Sequence, residues 1–265
     1  MYRNVLPKLR LGENNLSIFC NHSEAGASKI HFIMTLQEVI NELQLIADPE
    51  KVLFKHQKFG VIANNSIGVY HRDLKVLAKI IGKNNDLALK LFDSNIYECR
   101  LLCSKIFNPK NVTNELMEKW VVTFENWEIT DSFCMGLFKY SDLAMDKILE
   151  WTQREEEFQK RSGFVIMAAY GFARKKDSNE VFESFFPIIK REINDDRIYV
   201  KKAVNWALRS IGKRNVDLKN KAIETAYEIL KTSSKSAQWI AKDALKELQS
   251  DKVNIQDYPR KIYRP

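Results

Sequence analysis

A helical pattern occurs twice near the C-terminal end of the chain, 33 residues apart, and it limits the possible folds more than any other stretch. Each copy has one apolar stripe at a spacing of 3.6 residues per turn, as a helix packed on a core requires. On another face, each copy has a tryptophan within a line of cations. The apolar stripes are Val204, Ala207, Leu208, Ile211 and then Ala237, Ile240, Ala241, Ala244. The tryptophan lines are Lys202, Trp206, Arg209, Lys213 and then Lys235, Trp239, Lys242, Lys246.

Two interpretations of these lines are open. Either the rim of each tryptophan seals the core while lysine stems pack beside it, or the lines form a basic surface that presents aromatic rings. The repetition favours the second interpretation, because stacked helical repeats place equivalent faces side by side.

The remaining sequence also has helical patterning, with short polar breaks and no sustained alternation of period two. Gly and Pro, which the turns of sandwiches and barrels require, number only 9 and 6. The predicted fold class is all-α, a HEAT-like helical-repeat solenoid (an α-α superhelix) with a concave basic face. The predicted helices span 35–47, 49–58, 70–81, 84–93, 95–107, 113–123, 127–138, 142–151, 155–175, 178–192, 197–213, 217–231 and 234–248.

The same patterning predicts the organisation of the chain. Pro187 should kink or divide the 178–192 helix, because proline lacks an amide N–H. We expect an irregular N-terminal extension over 1–33, a HEAT-like repeat domain over 34–250 and a basic C-terminal tail over 251–265. Regular patterning starts at Met34, so the first 33 residues are interpreted as an extension or as the product of a misplaced start codon.

The positive charge is confined to one end of the chain. Residues 1–186 contain 24 Lys and Arg against 24 Asp and Glu, whereas residues 187–265 contain 18 against 10, which is the whole net charge of +8. Because the excess shares helices with the two tryptophan lines, it indicates a polyanionic partner.

Other function classes find no support in the sequence. The four cysteines form no CxxC pair and are interpreted as reduced core residues of a cytoplasmic protein. No metal-ligand spacing and no glycine-rich phosphate loop occurs, so we expect neither a metal nor another cofactor. No signal peptide and no apolar run long enough for a membrane span occurs, so we expect no membrane partner.

A second stretch, Phe124–Asp131, places Trp127 and Asp131 four residues apart, on one face of a helix that Asn126 could cap. On the spacing alone, Trp127 could lie in the core with Asp131 in an ion pair to a neighbouring lysine. The alternative is that both side chains line a site.

Three segments together resemble a known family: FENWEITDSF, the helix QKRSGFVIMAAYGFARK and VKKAVNWALRSIGKRN. They are similar to the DNA alkylation repair proteins, the AlkD-like DNA glycosylases built of HEAT-like repeats, over roughly residues 34–248. The resemblance implies roles by motif position. Trp127, Trp206 and Asp131 correspond to the catalytic residues, Arg161 and Arg209 to arginines that hold the DNA backbone, and Phe59 and Tyr70, beside the Ile67-Gly68-Val69 turn, to DNA-facing side chains. Lys202, Lys213, Lys235 and Trp239 of the two lines complete the predicted DNA-binding set.

The resemblance implies hydrolysis of the N-glycosidic bond of cationic N3- or N7-alkylated purines in duplex DNA, without base flipping. An open cradle for duplex DNA favours a monomer. The chain departs from the family in having Asn126-Trp127 where a Trp-Trp pair can occur. Two alternatives remain open at this point: a non-catalytic HEAT-like protein that binds branched or damaged DNA, and a protein-interaction scaffold.

Overall fold

A computed structural model describes residues 34–251 and 253. These residues pack as two compact units that divide between Asn111 and Val112. The predicted extension 1–33 and nearly all of the predicted tail 251–265 lie outside the described residues, and the prediction of a single repeat domain over 34–250 remains a prediction. The N-terminal unit contains α1 (Leu36–Leu45), α2 (Pro49–Phe59), α3 (His71–Ile81), α4 (Asn85–Asp93) and α5 (Tyr97–Ile106).

The C-terminal unit is also helical throughout its described part. Its helices are α6 (Asn114–Val121), α7 (Trp127–Gly136), α8 (Ala144–Trp151), α9 (Glu157–Ala173), α10 (Asn179–Glu183), α11 (Phe185–Arg191), α12 (Ile198–Gly212), α13 (Val216–Leu230) and α14 (Lys235–Leu248).

The all-α prediction is confirmed for the described residues, and each predicted span agrees with an observed helix to within two residues at either end. The span 178–192 is divided, as expected, into α10 and α11 at Ser184. Pro187 is the third residue of α11, where its missing N–H would have had no acceptor within the helix.

One turn of the N-terminal unit is held by a fully buried carboxylate. Glu98 of α5 accepts the backbone N–H groups of Ile67, Gly68 and Val69 at 2.9, 2.9 and 3.2 Å, and the Ser66 hydroxyl donates to it at 2.7 Å. Gly68 has φ +81°, and a Cβ there would lie 2.0 Å from a backbone oxygen. Only glycine fits this turn, because the conformation and the space both exclude a side chain.

Within the C-terminal unit, α7, α9, α12 and α14 form a row in which each helix contacts the next. Helix α8 packs on α9, and α13 packs on both α12 and α14, as a second layer. The eight residues of the two apolar stripes are at most 2% exposed, so both stripes face the interior between the layers. The tryptophan lines therefore lie on the faces of α12 and α14 that the core leaves free.

Close packing sets the position of α9 in this row. A Cβ at Gly163 would lie 2.7 Å from the backbone nitrogen of Thr152, at the end of α8. Every residue of α9 from Arg161 to Gly171 is buried, and Phe164 is fully buried.

Cys99, Cys103 and Cys134 are buried free thiols, as expected for core cysteines, whereas Cys20 lies outside the described residues. Burial raises the pKa of Cys99 to about 11 and raises the pKa of the other two thiols further. Among the described helices, none combines the length and the apolar character that a membrane crossing would need.

Candidate functional site

The candidate site begins at the first turn of α7. Asn126 caps this helix, and its side-chain oxygen accepts the backbone N–H groups of Glu128 and Ile129 at 2.9 and 3.1 Å. Trp127 is the first helical residue and Asp131 lies one turn later on the same face, with both side chains partly exposed. The asparagine in place of a second tryptophan thus has a structural role, since it satisfies two amides at the helix start.

Arg161 of α9 fixes the carboxylate of Asp131. Its Nε donates to one oxygen at 3.0 Å and its Nη2 donates to the other at 2.9 Å, which is a two-pronged pair. The remaining nitrogen, Nη1, donates to the backbone carbonyl of Tyr199 on α12 at 2.7 Å. One guanidinium therefore joins α7, α9 and α12. The expected ion pair of Asp131 exists, but it is formed with arginine instead of lysine.

Arg161 is 6% exposed, and its three donating nitrogens all face protein acceptors. The resemblance implied a contact from this residue to the DNA backbone. In the structure its guanidinium is directed at Asp131 and at α12.

The carboxylate of Asp131 is mostly, but not completely, shielded from water, with 19% of its side chain exposed. Burial raises the pKa of Asp131, and the charge and hydrogen bonds of Arg161 oppose this increase. A carboxylate has about four lone-pair positions, so a bidentate arginine leaves acceptor capacity for a further donor such as water.

Trp206 is on the same face of α12 as Tyr199, seven residues and therefore about two turns further along the helix. The ring of Tyr199 packs on Phe158 of α9 with centroids 5.5 Å apart. Trp206 is half-buried, and no hydrogen bond or ring contact involves it within 34–251. The indole is thus set on a helix that Arg161 ties to Asp131.

Arg209 and Lys213, further along α12, are paired with carboxylates of α14. Both donate to Glu247, and the Arg209 Nε lies 3.6 Å from Asp243. Partial burial of Glu247 favours its protonated form, but hydrogen bonds from Lys213 and Arg209 hold its pKa below the usual value. To contact these two cations, a DNA phosphate would have to displace Glu247 or share the cations with it.

The other lysines of the two lines are unpaired in the described part of the chain. Lys202 and Lys235 are exposed, and no carboxylate of residues 34–251 lies within ion-pair distance of either. Trp239 is 38% exposed, and the Lys201 Nζ lies 5.3 Å from its ring centroid. Lys201 thus lies over one face of this exposed ring, at cation–π distance.

In the N-terminal unit, the two predicted DNA-facing aromatics lie at helix ends. Phe59 ends α2, is 48% exposed and packs edge-on against Phe54 at 5.8 Å. Tyr70 precedes α3 and has the Lys51 Nζ 5.2 Å from its ring.

Sequence reasoning missed Glu247, Lys201 and the carbonyl of Tyr199. Each acts on a residue of another helix 34 to 38 positions away in the chain. A pattern within one helix carries no signal for such pairs. The 33-residue repeat indicates the pairs between α12 and α14, because it places these two helices side by side, but it does not indicate the contact of Arg161 with α12.

The family model described as DNA alkylation repair enzyme matches residues 39–248. This match covers most of the chain, so the chain belongs to the DNA alkylation repair enzyme family, as the resemblance of its three segments predicted.

Two relatives are similar over 204 residues, which are 74% of this chain and 87% of each relative. They are the uncharacterized proteins Lin0241 of Listeria innocua, 25% identical, and Lmo0209 of Listeria monocytogenes, 23% identical. A solved structure superimposes with a TM-score of 0.65 at 19% identity, over 81% of this chain and 95% of the other. It is described as belonging to a new family of proteins related to the HEAT-like repeat DNA glycosylases, with affinity for branched DNA structures. At this identity the match establishes the fold, and it confirms the predicted HEAT-like class.

Proposed function

We propose that the protein is a monofunctional DNA glycosylase that hydrolyses the N-glycosidic bond of cationic N3- or N7-alkylated purines in duplex DNA. It would act as a monomer and without base flipping. Membership of the DNA alkylation repair enzyme family supports the reaction class. The supporting observation in the site is Asp131, a partly exposed carboxylate that shares a face of α7 with Trp127 and is oriented by Arg161.

The chemistry of the substrate fits this small set of groups. An alkylated purine is already positively charged, so its glycosidic bond breaks without strong acid assistance at the base. The reaction needs stabilisation of a sugar with oxocarbenium character, and it needs a positioned water. A fixed carboxylate supplies the first by its charge and the second by accepting a proton from water.

Arg161 has two opposite effects on this carboxylate. It holds both oxygens in place, which reduces the reorganisation needed in the transition state. Its positive charge also weakens the negative potential that a cationic sugar would experience. The exposed edge of Asp131 is therefore the part available to substrate, while the guanidinium stays behind it.

Trp127 and Trp206 contribute their ring faces. The negative quadrupole of an indole attracts a cation within about 6 Å, and the attraction increases where water is excluded. The cations of α12 would neutralise phosphates beside the lesion.

A second candidate function is binding of damaged or branched DNA without cleavage. The observation that favours it is the complete engagement of Arg161 with Asp131, which reduces the charge available for catalysis. The solved relative described as having affinity for branched DNA belongs to a family related to the glycosylases, so the fold is compatible with this role.

One measurement separates the two candidates. Duplex DNA that carries N7-methylguanine or N3-methyladenine is incubated with the protein, and released base is quantified by chromatography. We expect release by the wild type and a loss of about 10²- to 10⁴-fold in Asp131→Asn, because the amide can neither accept a proton nor stabilise a cation.

The matched control is Asp142→Asn, which alters a fully exposed aspartate that pairs with Arg174 in the same unit. It should release base at the wild-type rate. Absence of release by the wild type would support the binding function. Wild-type release by Asp131→Asn would remove this carboxylate from the mechanism.

A further inference from the structure

The surface around Trp239 has features that hydrolysis at Asp131 does not use. The ring is 38% exposed, lies under Lys201 of α12 and makes no aromatic contact within the described residues. Its indole N–H makes no hydrogen bond there either. A single exposed ring is ordinary, but this indole lies within a line of lysines, so the surface offers a flat apolar face and positive charge together, which suits a nucleic-acid strand.

The cations of this surface are not neutralised by the protein. Lys235, Lys242 and Lys246 are exposed, and none has an ion pair in residues 34–251. The nearest acids, Asp243 and Glu247, are directed at Arg209 and Lys213 on the α12 side. The lysines along α14 therefore form an uncompensated positive line with one flat aromatic in it.

Trp239 and Asp243 have the same four-residue spacing as Trp127 and Asp131, which raises the question of a second lesion site. The charges argue against it. Lys201 already occupies the cation-binding environment of the Trp239 ring, and a cationic base would be repelled by the lysines around it. A neutral base can stack on the ring when the flexible Lys201 side chain moves from the ring to a phosphate, and a negatively charged backbone fits the neighbouring lysines.

Within the proposed DNA-binding function, on which this inference rests, we propose that Trp239 is a stacking platform for an unpaired base. Lys201, Lys235, Lys242 and Lys246 would bind the phosphates of the same single strand. Within a duplex the faces of the bases are covered by their neighbours, so away from the duplex ends an indole can stack only on an unpaired base. The ligand is therefore a single-stranded segment joined to duplex DNA.

The position of Trp239 agrees with a junction. It lies one repeat from Trp206, on the neighbouring helix, and packed helices are about 8–10 Å apart. A strand bound at Trp206 could therefore continue to Trp239 on the adjacent helix.

The experiment compares binding of two DNAs by fluorescence anisotropy at fixed salt: a blunt duplex and the same duplex with a thymidine tail. We expect the wild type to prefer the tailed DNA by about 5- to 100-fold, the usual size of one stacking contact. Trp239→Ala should greatly reduce the preference and leave only the part that the lysine–phosphate contacts supply, and Trp239→Phe should retain most of it. Thermal unfolding of both variants verifies that this exposed position tolerates the change.

Tyr227→Ala is the matched control, because Tyr227 is an exposed aromatic on the adjacent helix α13. It should keep the wild-type preference. Equal binding of both DNAs by the wild type, or an undiminished preference in Trp239→Ala, would refute the proposal. Base release by the wild type from blunt duplex tests the proposed function separately, since the tail preference does not require catalysis. A wild type that binds neither DNA would overturn both.

Discussion

At the scale of single residues, the pair of Asp131 and Arg161 decides what the site can do. The guanidinium orients the carboxylate and ties it to the carbonyl of Tyr199, so one side chain sets the geometry of three helices. It also favours the ionised carboxylate against a burial that raises the pKa of Asp131. A general base must be ionised, so activity should be lost as the pH falls through that pKa.

Arg161→Lys tests this positioning role. Lysine keeps the charge but cannot form the fork, so Asp131 loses one hydrogen bond and α12 loses its link. We expect a reduction in the single-turnover rate of base release of about 10²-fold, the size associated with a misplacement near 1 Å. With a weaker partner the pKa of Asp131 should increase further, so the acidic limb of the rate profile should move to higher pH.

The rates would be measured across pH after subtraction of base lost from DNA alone. Arg174→Lys, at the exposed pair with Asp142, is the control and should leave the profile unchanged. An unshifted limb in Arg161→Lys would show that the arginine does not act through the ionisation of Asp131.

At the scale of helices, the sequence predicted most of the fold because periodicity and capping are local. The stripes of α12 and α14, the Asn126 cap and the division near Pro187 all depend on residues a few positions apart. The contacts of Arg161 and of Glu247 could not be predicted in this way. Helical spacing shows which face a side chain occupies, but the partner comes from another helix and depends on packing.

Glu98 gives a stability prediction at the same scale. Its two oxygens accept three backbone amides and one hydroxyl while it is fully buried. In Glu98→Gln the side-chain NH₂ group replaces one of the two carboxylate oxygens. It would then face a backbone N–H or the Ser66 hydroxyl, so two donors would meet without an acceptor. We expect the free energy of unfolding to decrease by about 1–3 kcal/mol, the usual cost of an unsatisfied buried donor.

Urea unfolding monitored by circular dichroism measures this change, with Glu224→Gln as the control, because Glu224 is exposed and has no ion pair within the described residues. An unchanged midpoint for Glu98→Gln would mean that the Ile67–Val69 turn does not depend on the carboxylate.

At the scale of the whole molecule, the net charge of +8 is a poor measure of how many cations are free to bind DNA phosphates. Arg209 and Lys213 belong to the basic C-terminal part of the chain, yet Glu247 holds both of them. Lys242 and Lys246 have no such carboxylate within the described residues. The strength of the polyanion interaction should therefore depend on which lysine is removed, and not only on the number removed.

The dependence of DNA affinity on salt can resolve this difference, because each cation–phosphate contact contributes about 0.9 to the log–log slope. Lys242→Ala should reduce the slope by about that amount, whereas Lys213→Ala should reduce it less, since Glu247 competes with phosphate for this lysine. Glu247→Gln should increase the slope, by up to about 1.8 if Arg209 and Lys213 both become available.

Glu228→Gln is the control, because it removes the same charge from an exposed pair with Lys190. It distinguishes the release of Arg209 and Lys213 from a general change in net charge. Equal slopes for Glu247→Gln and Glu228→Gln would mean that Arg209 and Lys213 lie away from the DNA, and the unpaired lysines of this surface, Lys202 as well as those beside Trp239, would then supply the phosphate contacts.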